Sequence, residues 1–187
     1  MVILEPIPFI VFAAVVYVLW ALLKKPQRAV SYWGRLILLA GCVILASYYF
    51  LPFPLGREAM EALLDPRLPL NEAIKINPAA QIMEDIRHLE YYFANLFPIF
   101  GAAALIGFSV DLTGSKTFPV KKHLLISFLI PCTLFIFHAV FKLITGYMWK
   151  IADTGQILWF MLFYFLGYLV SLLAEKIRSG ITARNDD

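Results

Sequence analysis

Apolar residues along this chain come in long blocks, not in the i, i+3, i+4 stripe of a soluble helix or the alternation of a half-buried strand. Five blocks nearly free of charge can be read, at about 2–23, 36–55, 91–110, 124–144 and 157–173. At a rise of about 1.5 Å per residue, each can cross a hydrocarbon layer of about 30 Å, the shorter ones with help from their flanks. A chain crossing lipid must pair its backbone groups within itself, so the blocks are expected to be helices. The first block has Glu5 but no basic start and no small-residue cleavage site, so it reads as a retained helix rather than a signal peptide. The expected fold is therefore all-α. It is a polytopic integral membrane protein, a bundle of about five transmembrane helices in one domain over 1–187, with one amphipathic outer segment in the loop 56–90.

Composition removes the main alternatives. Of 187 residues, 61% are apolar and 16% charged, where soluble domains run about 45–50% and about 25%. A soluble enzyme, a nucleic-acid partner and a disordered regulator are excluded. The net charge of +3 matters less than where the charges fall. Lys24, Lys25, Arg28, Arg35, Lys116, Lys121, Lys122, Lys176, Arg178 and Arg184 flank the spans on one side. Arg57, Arg67, Lys75, Arg87, Lys142 and Lys150 lie on the other, most of them in a long acidic loop. Short loops rich in Lys and Arg stay cytoplasmic, which puts the N-terminus outside and the C-terminus inside. Tyr32, Trp33, Tyr48, Tyr49, Tyr91, Tyr92, Tyr147 and Trp149 flank spans, as an interfacial aromatic belt would. Cys42 and Cys132 sit inside spans without a CxxC partner and read as buried packing thiols.

Residues 56–90 form the one sizeable extramembrane piece, broken by Pro66, Pro69 and Pro78. Glu58 to Leu64 has the length of a short helix. Beyond Ala80, the residues Ile82, Met83, Ile86, Leu89 and Phe93 share one helical face, with Glu84, Asp85 and Arg87 opposite. That pattern fits a helix lying in the outer interface or, alternatively, a lid over an outward pocket.

Polar groups inside hydrocarbon are costly and therefore worth weighing as functional. His138 and Lys142 are four apart, on one face of the fourth block and near its outer end. Lys150 and Asp153 follow, and Asn95 lies at a similar depth in the third block. Asn95, His138, Lys142, Lys150 and Asp153 are the candidate ligand-binding residues, suited to an anionic head group. The alternative is structural: Lys142 is near enough to the interface to snorkel, and His138 to bond a neighbouring helix. No metal or cofactor is expected. His123 and His138 lie about 22 Å apart by helix rise, and His88 is in the loop, so no two histidines share a depth for haem or zinc. No GxSxG, P-loop, HExxH or GxGxxG occurs, so no catalytic residue is assigned. Asp-Leu-Thr-Gly-Ser-Lys at 111–116 reads as an inner turn. Pro98 and Pro131 fall inside spans and should kink them, and Gly101 with Ala102 to Ala104 offers a small face for a neighbouring helix.

The order of features over residues 70–170 resembles the VanZ-like family of small bacterial membrane proteins. Ile76-Asn77-Pro78, the stretch Asn95-Leu96-Phe97-Pro98-Ile99-Phe100-Gly101, the turn with Gly146 and Asp153, and Gly167-Tyr168 carry the likeness. His138 stands where the family has an acid and Phe141 where it has glutamine, while Lys150 and Ala152 replace aspartates of the turn. The resemblance implies a protein of the bacterial cytoplasmic membrane linked to teicoplanin-type resistance or surface-polysaccharide functions.

Three functions fit these observations. The first is a non-enzymatic VanZ-like envelope protein holding a lipid or glycopolymer head group at its outer face, with membrane lipids as partners. The second is an accessory subunit of a larger membrane complex, such as one whose other chains carry pigments or redox centres, with other membrane subunits as partners. The third is a membrane enzyme acting on a lipid-linked substrate, with His138 or Asp153 as general base.

Overall fold

The computed structural model describes residues 2–4, 14–17, 29–50, 53–55, 57–64, 69–113, 117–148 and 151–185. Four long helices carry the fold: α1 (Ala29–Phe50), α5 (Leu89–Ser109), α6 (Val120–Thr145) and α7 (Thr154–Asn185). Short helices α2 (Arg57–Leu63), α3 (Leu70–Ala73) and α4 (Pro78–Arg87) lie between α1 and α5. Strand β1 (Val2–Leu4) pairs antiparallel with β2 (Phe53–Leu55), and β3 (Ile74–Lys75) pairs parallel with β4 (Ala152–Asp153).

The packing of α6 explains why this architecture belongs in lipid. Its buried residues are His123, Ser127, Pro131, Leu134, His138 and Lys142, spaced by three or four so that they form one stripe. Leu124, Leu125, Phe128, Leu129, Ile136, Val140, Leu143 and Ile144 are exposed on the rest of its surface. In water this inside-out pattern would leave a large apolar patch bare. In a bilayer the exposed leucines meet acyl chains, and the polar stripe finds partners inside the bundle. Among the described residues, three helical stretches are long and apolar enough to cross a membrane: Ser31–Phe50, Val120–Thr145 and Thr154–Ile177.

The expected spans are altered at their edges. The second span begins earlier than 36, because α1 starts at Ala29, and it stops at Phe50. Residues 53–55 are extended and pair with 2–4, so neither end of the first two blocks is helical there. Proline explains it: Pro6, Pro8, Pro52 and Pro54 cannot donate to a helical ladder. Of the first span only 2–4 and a helical turn at 14–17 lie within the described residues. The third span coincides with α5, within which Phe97–Ser109 is an apolar stretch among the described residues. The described residues are mostly helical, as expected, with short two- and three-residue strands outside the long helices.

The core lies where α5 crosses α7 and α1. A Cβ at Gly107 would collide with the Tyr164 carbonyl, and one at Gly167 with the Ala104 carbonyl, so two backbones touch there. Ala102 and Ala103 are buried as expected, but Gly101 is corrected: a Cβ there would meet nothing within 4 Å. The close approach belongs to Gly107 and Gly167 instead. Phe100 and Phe163 stack face to face at 4.3 Å in the same core. The cysteine expectation also changes: Cys42 is exposed on the helix surface and Cys132 half-buried.

Candidate functional site

Helix α4 is built to hold the start of α7. Asn77 caps it, its Oδ1 accepting from the Ala80 N–H at 3.3 Å, and Pro78 starts it without needing a donor. The polar side faces inward. Gln81 and Asp85, one turn apart, are buried, while Met83 and Ile86 are 54% and 52% exposed. Trp159 Nε1 donates to Asp85 Oδ2 at 2.9 Å, and Gln81 Nε2 donates to Asp85 Oδ1 at 3.4 Å. Asp85, read as the solvent side, is thus an anchor on α7. In register with this, Lys75 pairs with Asp153 across β3 and β4, and Thr154 donates to the Lys75 carbonyl at 3.2 Å.

Asp153 is the N-cap of α7. Its Oδ1 accepts the Gly155 N–H at 2.7 Å, which leaves the rest of the carboxylate aimed elsewhere. It lines a cleft with His138 and Pro131 of α6, Phe135, Tyr49 of α1 and Gln156 of α7. Asp153 is 8% exposed and His138 3%. Tyr49 donates to Gln156 Oε1 at 2.8 Å and stacks on the His138 ring, centroids 5.5 Å apart. Interior volume is about 10 Å³, room for one water-sized group. Burial pushes the Asp153 carboxyl up from 3.8 to about 6; the Gly155 N–H opposes that, Asp85 adds to it, Lys75 opposes it and Glu84 adds to it. Among the described residues, no Lys or Arg lines the cleft.

Of the five expected site residues, three have described side chains, and these separate. His138 and Asp153 come together in the cleft. Lys142 does not join them: Nζ donates to the Gly146 carbonyl at 2.8 Å, capping its own helix where the chain turns at φ 76°. The side chain of Asn95 and the whole of Lys150 lie outside the described residues. Tyr49, assigned to the aromatic belt, is instead a buried wall of the cleft. The feature that placed it there, its contact with Gln156, joins residues 107 apart and has no trace in local sequence.

A second polar cluster sits at the other end of α6. His123 is fully buried; its Nε2 lies 3.2 Å from both Asp111 carboxylate oxygens and its Nδ1 3.0 Å from Tyr164 Oη. A carboxylate only accepts, so Nε2 carries the proton and Tyr164 donates to Nδ1. Asp111 also accepts the Phe118 N–H at 2.9 Å, and Tyr168 covers the imidazole at 4.0 Å. The Asp-Leu-Thr segment is more than a turn: it supplies the acid of this array. Among the described residues, no group of three or more His, Cys, Asp or Glu is arranged to hold a metal ion. No protein-family model, curated protein or solved structure matches the chain.

Proposed function

We propose that this is a VanZ-like envelope protein of the bacterial cytoplasmic membrane, with its N-terminus outside and its C-terminus inside. In this reading it binds a polar head group of a lipid or glycopolymer at its outer face, without catalysing a reaction. One observation carries the proposal: His138 and Asp153, from two different helices, line one cleft with Tyr49 and Gln156 at the end where α4 is anchored. Among the described residues the cleft has a carboxylate and an imidazole but no lysine or arginine, so it suits a hydroxyl or ammonium rather than an anion. Lipid recovered with the protein from its native membrane tests this. His138→Ala and Asp153→Asn should each lower the copurified lipid without lowering protein yield, and unchanged lipid would overturn the reading. Lys142→Ala, which removes only a helix cap, should leave the lipid in place.

A second reading, a membrane enzyme on a lipid-linked substrate, is favoured by the same pair. A carboxyl pushed up to about 6 beside an imidazole, over space for one water, has the groups of a general acid–base site. Incorporation of ¹⁸O from water into a lipid-linked saccharide, abolished by His138→Ala, would support it; no incorporation would set it aside.

A further inference from the structure

The cleft restricts its occupant by size as well as by charge. An interior of about 10 Å³ admits one water-sized group and excludes a sugar ring or a phosphate. Its walls include an aromatic ring, an imidazole and a carboxylate: Tyr49 stacked on His138, and Asp153. Among the described residues, Asp153 receives a single hydrogen bond, from the Gly155 backbone. Two ammonium groups among the described residues are committed. Lys142 is bound to the Gly146 carbonyl, and Lys75 lies 3.6 Å from Glu84. A desolvated carboxylate beside an aromatic face is the environment that recognises a cation.

We propose that the cleft takes a primary ammonium group, as carried by an ethanolamine head group or a free alkylamine. This rests on the head-group reading above and names its ligand class. An –NH₃⁺ is close to water in size and brings three donors: one for the open Asp153 oxygen, one for Gln156 and one for a ring nitrogen of His138. A trimethylammonium is too bulky for the space and has no N–H to give. The titratable groups around Asp153 are His138 from α6, Asp85 and Glu84 from α4, Lys75 from β3 and Tyr49 from α1. Two acids against one lysine leave the surroundings in favour of a cation.

The full chain, extracted from vesicles of phosphatidylethanolamine, phosphatidylcholine and phosphatidylglycerol in equal parts, provides the test by native mass spectrometry. Phosphatidylethanolamine should be retained about tenfold over the other two, a ratio set by one charged hydrogen bond. Asp153→Asn keeps the helix cap and should remove that preference. Tyr49→Phe keeps the ring and should preserve it, whereas Tyr49→Leu should weaken it. Displacement by millimolar ethanolamine would assign recognition to the ammonium alone, and resistance to it would assign the intact lipid head. Equal retention of all three lipids that still depends on Asp153 would overturn the ammonium and leave the head-group site standing. Retention blind to both composition and Asp153→Asn would overturn the two together.

Discussion

The two ends of α6 carry similar residues put to different use. At one end His123, Asp111, Tyr164 and Tyr168 close on each other: both imidazole nitrogens are engaged, the acid also holds a backbone N–H, and the histidine has no exposure. At the other, His138, Asp153, Tyr49 and Gln156 surround a space, and among the described residues the acid receives one hydrogen bond, from the Gly155 backbone. A filled array fixes a fold. An array with a gap the size of one polar group is where a ligand goes. The backbone follows the same division. Near His123, α5 and α7 meet main chain to main chain at Gly107 and Gly167, whereas near Asp153 the glycine Gly155 faces the flexible Gln81 side chain.

The comparison fails if the two histidines cost the same to remove. His123→Leu would leave the Asp111 carboxylate and the Tyr164 hydroxyl buried with no imidazole between them, costing about 3–5 kcal/mol. His138→Leu replaces a ring on a cleft wall and should cost about 1 kcal/mol or less. Thermal unfolding of the purified protein in one detergent, read by tryptophan fluorescence, checks both. A His123→Leu protein that melts with wild type would make that cluster an ornament rather than a fastening.

A smaller effect sharpens the same contrast in the backbone. Gly107→Ala drives a methyl into the Tyr164 carbonyl, and neither rigid helix can yield without separating, which costs about 2 kcal/mol. Gly155→Ala meets Gln81 Cγ at 3.0 Å and Asp153 Oδ1 at 3.1 Å, contacts that a side-chain rotation relieves, and should cost under about 1 kcal/mol. Gly101→Ala, in open space, should raise helix propensity and cost nothing. The order of the three melting temperatures is the measurement, and Gly155→Ala falling below Gly107→Ala would contradict it.

The sequence made the lipid-facing surface legible and left the interior mostly hidden. Block hydrophobicity located α6 and α7, because a residue's apolarity is a local property and lipid imposes it along the whole helix. It also marked His138 and Asp153, since any polar group at that depth is conspicuous. It missed Tyr49 and Asp111, for the same reason in each case: a tyrosine near a span end looks like a belt residue, and an aspartate before Gly114 looks like a turn. Their partners, Gln156 and His123, lie on other helices, and helix rotation is invisible in a chain that is apolar on every face. Lys142 shows the converse. Spacing put it correctly on the face of His138, but a long side chain reached the Gly146 carbonyl first. Asp85 was placed on the wrong side because Trp159 of α7 draws it inward, while Glu84 and Arg87 of the same face stay exposed.

The gap beside Asp153 should also be readable as a stability cost that depends on pH. Burial raises this carboxyl from 3.8 to about 6, so the folded protein holds its proton more tightly than the unfolded chain does. The resulting stabilisation is complete below about 3.8 and is lost as pH rises through about 6. In ligand-free protein the full shift is worth roughly 3 kcal/mol, and partial solvent contact reduces it to about 1 kcal/mol. Asp153→Asn keeps the cap on Gly155 and removes the charge, so at pH 8 it should melt higher than wild type and at pH 4 equally. The difference between the two melting curves from pH 4 to pH 8 isolates Asp153 from every other titrating group. An ammonium occupant should reverse the sign at pH 8, because it stabilises only the ionised wild type. Equal melting of the two proteins across that range would mean that the carboxylate is already compensated from within, as Asp111 is at the other end, and the asymmetry of the helix would disappear.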